Sequence, residues 1–542
     1  GALAKAYPER PGFLLDQAKL LTRAGQVDQA RVILTRPDWR QQAVGMRIPQ
    51  LLALADLYLQ LGDPQQARVH ARLAEKLATS AGSGWQIEHA TALAIEAESN
   101  VIQYESKADL SLFERAAREF EAAGDEIDAL FMRVLAESAR PANAPGTTAK
   151  LEELLRRARA GGYRRLEIDI LRRVAFQHYM AGNMAEYRSR LSQALSVANA
   201  AGDTTAQQLL DLDLLNEDMA VGDFASAEQR VQRLRDSGLR GDRAFWVAQF
   251  DSQLEFLRGR YDAALAALER VATMQAEKSP LPPIPRARLA CSQADVLLAQ
   301  GHAARARALY ATCGKVDHAL TQLMAELGKL MVDASARPRG ADPAALKAAL
   351  ATINALPDGP DRWWPAVTMA TALTRSGRAD QVAMAEAVYR SVAPGAAHAR
   401  YALLTRMVEL GLAEVAAARG DWATSRKHAD LARANLPPDD WFLYSRLAEL
   451  DAGHNLARGN REAAMRQLAR LDAHAHALGD ALVQQEVHSL MPPSVVVGKC
   501  TEATRRAFAQ RTGLHGATLA WMAPRADQAT GAIKVVNAQA AR

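Results

Sequence analysis

The stretch VVVGKCTEA comes nearest to a phosphate-binding loop, because Gly498 and Lys499 stand together ahead of Cys500. Such a loop needs a glycine five positions before the Gly-Lys pair, and a Ser or Thr after the lysine to reach magnesium. Pro493 and Cys500 occupy those places, so phosphate chemistry is not expected. LDAHAHALGD offers His474 and His476. Two apart on a helix, they point about 200° away from each other and cannot share a metal. The acidic run LDLDLLNED, from Leu210 to Asp218, has a spacing that any solvated helix face would give. HExxH, GxSxG and a strand-borne GxGxxG are all missing. Cys291, Cys313 and Cys500 form an odd, widely spaced set without CxxC, which reads as buried reduced thiols in a reducing compartment. No catalytic residue, cofactor or metal ligand is expected, and the chain reads as a non-enzyme. An enzyme would require residues distant in sequence to converge in a concave channel.

With no local motif to carry function, the elements that hold side chains in place become the question. The chain has 542 residues, 49% of them hydrophobic, 23% charged and only 6% aromatic. Abundant Ala, Leu, Arg, Glu and Gln favour helix over sheet. The formal charge of +5 lies entirely in the tail, where seven basic residues from Lys499 to Arg542 face only Glu502 and Asp527. The balanced remainder argues against direct nucleic-acid binding, which needs basic residues clustered on one face. No apolar run approaches the ~18–20 residues that span a bilayer. A start at Gly1, directly on helical sequence, reads as a fragment of a longer protein, and the oligomeric state stays open.

The segment LADLYLQLGDPQQARVHARLA, Leu54 to Ala74, supplies the organising pattern. Leu54, Ala55 and Tyr58 share one face of a first helix, and Ala67, Ala71 and Ala74 one face of a second. Gly62 is expected to end the first helix in the left-handed conformation, and Asp63 to cap the second. Similar turns recur at Gly25, Gly182, Gly222, Gly259, Gly301, Gly340, Gly377, Gly420 and Gly459. Degenerate units fit near Tyr104 and Ala144, giving about twelve units with a mean period of about 39.5 residues. AAGD at Gly124 and Gly202, with LGD at Gly479, marks the turns between units.

These units resemble the tetratricopeptide repeat. The Leu, small and Tyr positions of the first helix match, as do the second-helix alanines and the aromatic two residues after the turn glycine (Phe224, Tyr261, Trp422). The Gly420 unit is the best late copy, with Leu412, Ala413, Ala429, Ala432 and a closing Pro437. His178 and Asp218 depart from the aromatic position, and the period exceeds the family's usual length. Longer units with AGD turns are similar to arrays that bacterial signalling proteins carry behind a winged-helix, kinase or ATPase module. The resemblance implies an all-α fold, an α-solenoid wound as a right-handed superhelix of about twelve helix-turn-helix repeats. Stacking buries the face that a single unit cannot bury alone, and first helices line the concave side. Expected loops are RPANAPGTT (Arg140 to Thr148), KSPLPPIP (Lys278 to Pro285), ASARPRGADP (Ala334 to Pro343) and LPDGPDRWWP (Leu356 to Pro365). They divide the chain into sub-arrays 1–280 and 281–490, followed by a basic, partly ordered extension, 491–542.

Positions six and three residues before each turn glycine should face the concave side. They are Asp56 and Leu59, Phe176 and Tyr179, Asn216 and Met219, Gln253 and Phe256, Asp295 and Leu298, then Glu414. Apolar residues exposed among polar ones suit capture of a peptide or helix. A clamp for a C-terminal carboxylate would repeat Lys, Arg and Asn there, and only Asn216 matches. The expected function is a scaffold or sensor domain of a larger bacterial regulator, cytoplasmic, binding a protein or peptide partner, with a small-molecule effector as a further option. The alternative within the binding class is a periplasmic scaffold of envelope or exopolysaccharide machinery.

Overall fold

Alternating turn glycines become helix boundaries throughout the computed structural model. It describes residues 10–490, apart from 24–25, 62, 105–109, 141–143, 238–240, 279–282, 337–341 and 376–377, together with 507 and 510. Among these lie 25 α-helices and no strand. The first six pairs are α1 (Pro11–Arg23) with α2 (Val27–Leu34), α3 (Val44–Gln60) with α4 (Pro64–Ala81), and α5 (Gln86–Tyr104) with α6 (Ser111–Ala122), then α7 (Glu126–Ser138) with α8 (Thr147–Ala160), α9 (Arg164–Met180) with α10 (Met184–Ala201), and α11 (Thr204–Val221) with α12 (Phe224–Asp236). Three more are α13 (Gly241–Leu257) with α14 (Tyr261–Lys278), α15 (Pro283–Ala299) with α16 (Ala303–Cys313), and α17 (Ala319–Ala336) with α18 (Pro343–Ala355). The last are α19 (Pro360–Arg375) with α20 (Ala379–His398), α21 (Ala402–Ala418) with α22 (Trp422–Arg433), and α23 (Trp441–Ala457) with α24 (Arg461–Leu478). One further helix, α25 (Ala481–Leu490), follows. The chain is an all-α solenoid of helical repeats.

The turn chemistry is as the sequence requires. Gly182, Gly222, Gly259, Gly301, Gly420 and Gly459 end their first helices with φ between +71° and +83°. Gly124, Gly202 and Gly479 are also left-handed between pairs, at φ +79°, +64° and +73°. Gly25, Gly62, Gly340 and Gly377 fall outside the described residues. Asp63 caps α4 by accepting from Gln66 N at 3.0 Å, and Asp223 and Asp421 cap their second helices in the same way. Ala67, Ala71 and Ala74 are fully buried in a cluster with Ile48, Leu52 and Ala55, so small residues do let the paired helices approach closely.

Two compact units divide the chain. Unit 1 comprises residues 1–179, 185–210 and 273–282; unit 2 comprises 180–184, 211–272 and 283–542. Within unit 1, α1 packs on α3 and α3 on α5; within unit 2 the first helices from α13 to α23 pack in succession. These stacked first helices form one wall of each unit. The 491–542 extension lies outside the described residues, save 507 and 510.

Two expectations need correction. The expected loops are shorter than read: α8 begins at Thr147, α17 runs on to Ala336, α15 begins at Pro283 and α19 at Pro360. Proline fits the first helical turn because that N–H would be unpaired anyway. Pro365 then stands inside the helix, held there by burial of the residues around it, Trp363 and Ala366 among them. The cysteines also differ. Cys291 of α15 and Cys313 of α16 form a disulfide within a buried cluster rather than standing as free thiols. A spacing of 22 residues brings the two helices of one pair back side by side, which a search for CxxC does not register.

Candidate partner-binding surface

On the first-helix wall of unit 1, Asp56 and Phe176 are exposed, and Leu59 and Tyr179 half-buried. Leu59 packs at the edge of the α3–α4 core. Phe176 is 52% exposed although it is large and apolar. Its ring stacks on Tyr179 with centroids 6.1 Å apart, and Tyr179 leans on Tyr187 at 5.4 Å. One helical turn before Phe176, Arg173 lies within electrostatic reach of Asp169 on α9 and of Glu98 on α5. Burial pushes the Glu98 carboxyl up to about 7, the neighbouring Asp56 adds to the rise, and Arg173 opposes it. Three first helices thus place an aromatic pair and a row of mixed charges along one wall.

Glu98 was missed by the sequence rule because no glycine marks its unit. It stands six residues before the end of α5, near the place the rule would give.

The first helices of unit 2 carry buried, half-buried and exposed positions side by side. Met219 and Leu298 are buried, the latter inside the disulfide-bearing cluster, so both are core and not an open binding wall. Glu414 is buried too, in a two-point ion pair with Arg446 at 2.8 and 2.6 Å. Burial alone would lower the Arg446 proton affinity, but the Glu414 carboxylate more than offsets this and holds it charged. Asn216 is half-buried, Gln253 exposed, and Phe256 half-buried between Tyr261 and Phe442, at 5.4 and 6.3 Å. Asp295 is exposed at its surface, with its carboxyl set against Tyr310. Desolvation raises its carboxyl to about 6, against the hydrogen bond it accepts from Tyr310. Trp246, with Arg288 over its ring at 5.5 Å, extends this wall onto α13 and α15.

Within unit 2, three turns lie against first helices of late repeats. A Cβ on Gly182 would lie 3.0 Å from Trp363, one on Gly222 2.9 Å from Arg406, and one on Gly259 2.6 Å from Trp441. Three successive turns thus meet α19, α21 and α23 in order. Arg258 Nε donates to Asp439 Oδ2 at 2.6 Å across 181 residues of chain. Tyr261 Oη and Trp441 Nε1 both donate to Asp480 Oδ2, at 2.6 and 2.8 Å.

Ser425, His454 and Asp451 stand in the order of a nucleophilic triad. His454 Nε2 is 3.1 Å from Ser425 Oγ, and its Nδ1 is 4.0 Å from Asp451 Oδ1. Ser425 has no exposed surface, and Trp422 packs edge-on against the imidazole at 5.5 Å. A hydroxyl so enclosed reaches no substrate and instead ties α22 to α23. His474 and His476 are both exposed, and His474 lies on Trp441 at 4.5 Å. No group of three metal-type ligands occurs among the described residues, and none of their helices is long and apolar enough to cross a membrane. Gly498, Lys499 and Cys500 lie outside the described residues.

No family model matches the chain, and no curated protein matches it. Among solved structures, a Rap protein complexed with competence and sporulation factor is similar at 10% identity, covering 68% of this chain and 99% of that one, with a TM-score of 0.41. A circular tandem repeat protein with novel repeat topology is similar at 13% identity, covering 98% of this chain and 96% of that one, with a TM-score of 0.13. Likeness at that level says nothing of what this chain binds.

Proposed function

We propose that this chain is a non-enzymatic interaction scaffold or sensor of tetratricopeptide type, and that it captures a protein or peptide partner on the first-helix wall of unit 1. The observation that supports this is Phe176, half exposed and stacked on Tyr179, one turn along α9 from Arg173, which is within electrostatic reach of Glu98. A folded protein gains by covering such a side chain, worth roughly 1.5–3 kcal/mol when fully buried. An aromatic anchor ringed by charges is what peptide-binding grooves use for affinity and register. A small effector could occupy the same wall, and membership of a larger regulator is the setting that fits it.

The test is the double substitution Phe176→Ala with Tyr179→Ala, read by pull-down with partners first identified by affinity capture from the native host. Partner retention should fall at least tenfold, about 1.4 kcal/mol, while far-ultraviolet circular dichroism stays unchanged. Undiminished capture by a folded variant would remove this surface from the proposal.

The disulfide favours a second reading of the setting. Buried cystines persist in oxidising compartments such as the periplasm and are rare in the cytosol. The Cys291–Cys313 bond therefore supports an exported scaffold of envelope machinery over a cytoplasmic regulator. Thiol counting on protein taken from the native host, denatured under alkylation, separates them: both cysteines blocked from labelling for the exported form, both labelled for the cytoplasmic one.

A further inference from the structure

A cavity of about 270 Å³ opens in unit 1 between the end of α4, the start of α5 and the end of α6. Trp85 forms its aromatic side, from the short 3-10 turn Ser83–Trp85 that joins α4 to α5. Gly45 of α3 lets that ring settle on the helix pair behind it, since a Cβ there would lie 3.4 Å from the ring carbon Cη2. The indole is half-buried, so part of its surface is left to the cavity. Ala78 and Ala122 add small apolar lining on either side.

His89 and Glu119 supply the polar side. His89 Nδ1 meets Glu119 Oε2, and its Nε2 is 3.7 Å from Glu75 Oε1 on α4. One imidazole carries at most one positive charge, and here it stands between two carboxylates. Arg72, the guanidinium within electrostatic reach of Glu75, is bound to Glu96, Nε donating to Oε1 at 2.8 Å. A carboxylate accepts at both of its oxygens. Glu119, with 33% of its side chain exposed, gives Oε2 to His89 and keeps Oε1 for another donor. A charged acceptor and an aromatic face thus line one small cavity.

We infer that this cavity binds an organic cation on a short alkyl stem, an alkylguanidinium or alkylammonium, with the Trp85 ring against the charge and the Glu119 carboxylate as its counter-ion. The face of an indole attracts a cation, more strongly where water is partly excluded. A guanidinium adds forked N–H donors that match a carboxylate. Ala78 and Ala122 give the stem apolar contact. An anion would be repelled by Glu119, and a neutral ligand would gain nothing from either group's charge preference. The site goes beyond the Phe176 surface. His89 stands nine residues before Glu98 on α5, about 13 Å along the helix axis.

The experiment is ligand-observed NMR titration of the full chain with n-butylguanidinium, and with n-butylurea as its neutral counterpart of the same shape. The wild type should bind the guanidinium at least about tenfold more tightly than the urea. Glu119→Gln should remove most of that difference. Trp85→Leu keeps an apolar side chain but loses the aromatic face, and should weaken the guanidinium roughly two- to tenfold. Circular dichroism checks that both variants are folded, and the comparison of the two probes on the wild type needs neither. N-acetylarginine methylamide carries the same cation on a peptide backbone. Binding as tight as that of n-butylguanidinium assigns the site to a basic residue of a polypeptide, and its exclusion to a free small molecule. No binding of the guanidinium, equal binding of the urea, or undiminished guanidinium binding by folded Glu119→Gln overturns the site.

Discussion

In unit 1, Asp56 and Phe176 stand exposed on first helices, whereas in unit 2 α21 and α23 bury Glu414, Arg446 and Glu449. Both walls come from the same repeat grammar of a first helix, a turn and a second helix. In unit 2, turns at Gly182, Gly222 and Gly259 dock against Trp363, Arg406 and Trp441. On α21 and α23, Glu414 and Arg446 are enclosed by protein. A buried charge must then be paired, because its desolvation cost is otherwise several kcal/mol. At these positions unit 2 has the Glu414–Arg446 pair where unit 1 presents Phe176 to solvent.

That contrast breaks most readily at Glu414. Glu414→Ala leaves the Arg446 guanidinium buried without its two-point partner and should cost ~3–5 kcal/mol. Asp56→Ala, at an exposed position, should stay within ~0.5 kcal/mol of wild type. Calorimetry of the two variants checks this: the transition belonging to unit 2 should move down strongly in the first, and neither transition appreciably in the second. Equal shifts would mean that the two walls do not differ in burial as described.

How much of this was legible in the sequence depends on distance along the chain. Gly222 followed by Asp223 announces a left-handed turn and a helix cap, because both act within a few residues of themselves. The twelve-pair register follows from such turns, and the unmarked units near Tyr104 and Ala144 fall into the same beat. Docking of Gly259 on Trp441 is of another kind. It is chosen by how the pairs curve, and nothing near either residue signals the other. Leu298 and Met219 are buried, since the spacing rule gives the face of a helix and not how its neighbours pack on it. Cys313 and Cys291 fell between these scales, neighbours across one helix pair with a spacing that matches no local motif.

The docked turns give a second, smaller contrast. Gly259→Ala places a methyl in a left-handed conformation, worth roughly 1–2 kcal/mol, and also drives it into the Trp441 ring, adding about 1–3 kcal/mol of overpacking. Gly459→Ala meets the same backbone demand, at φ +80°, but has nothing within 4 Å of the new methyl. Urea unfolding should therefore rank Gly259→Ala as clearly the more damaging of the two. Equal costs would show that strain alone matters at these turns and that the docking contributes little.

The smallest effect expected lies on the open wall and concerns Glu98. Its carboxyl is raised from the usual 4.5 to about 7, first by burial and then by Asp56, with Arg173 working against both. Folding therefore takes up a proton there, and the stability this brings is present at low pH and lost as pH rises through that interval. Glu98→Gln should remove the corresponding slope from the pH dependence of unit 1 melting. Asp56→Asn should only shrink it, because burial, the larger cause, stays in place. A slope untouched by Asp56→Asn would mean that α3 and α5 do not act on one another across the wall. The row of charges beside Phe176 would then be separate residues rather than one surface.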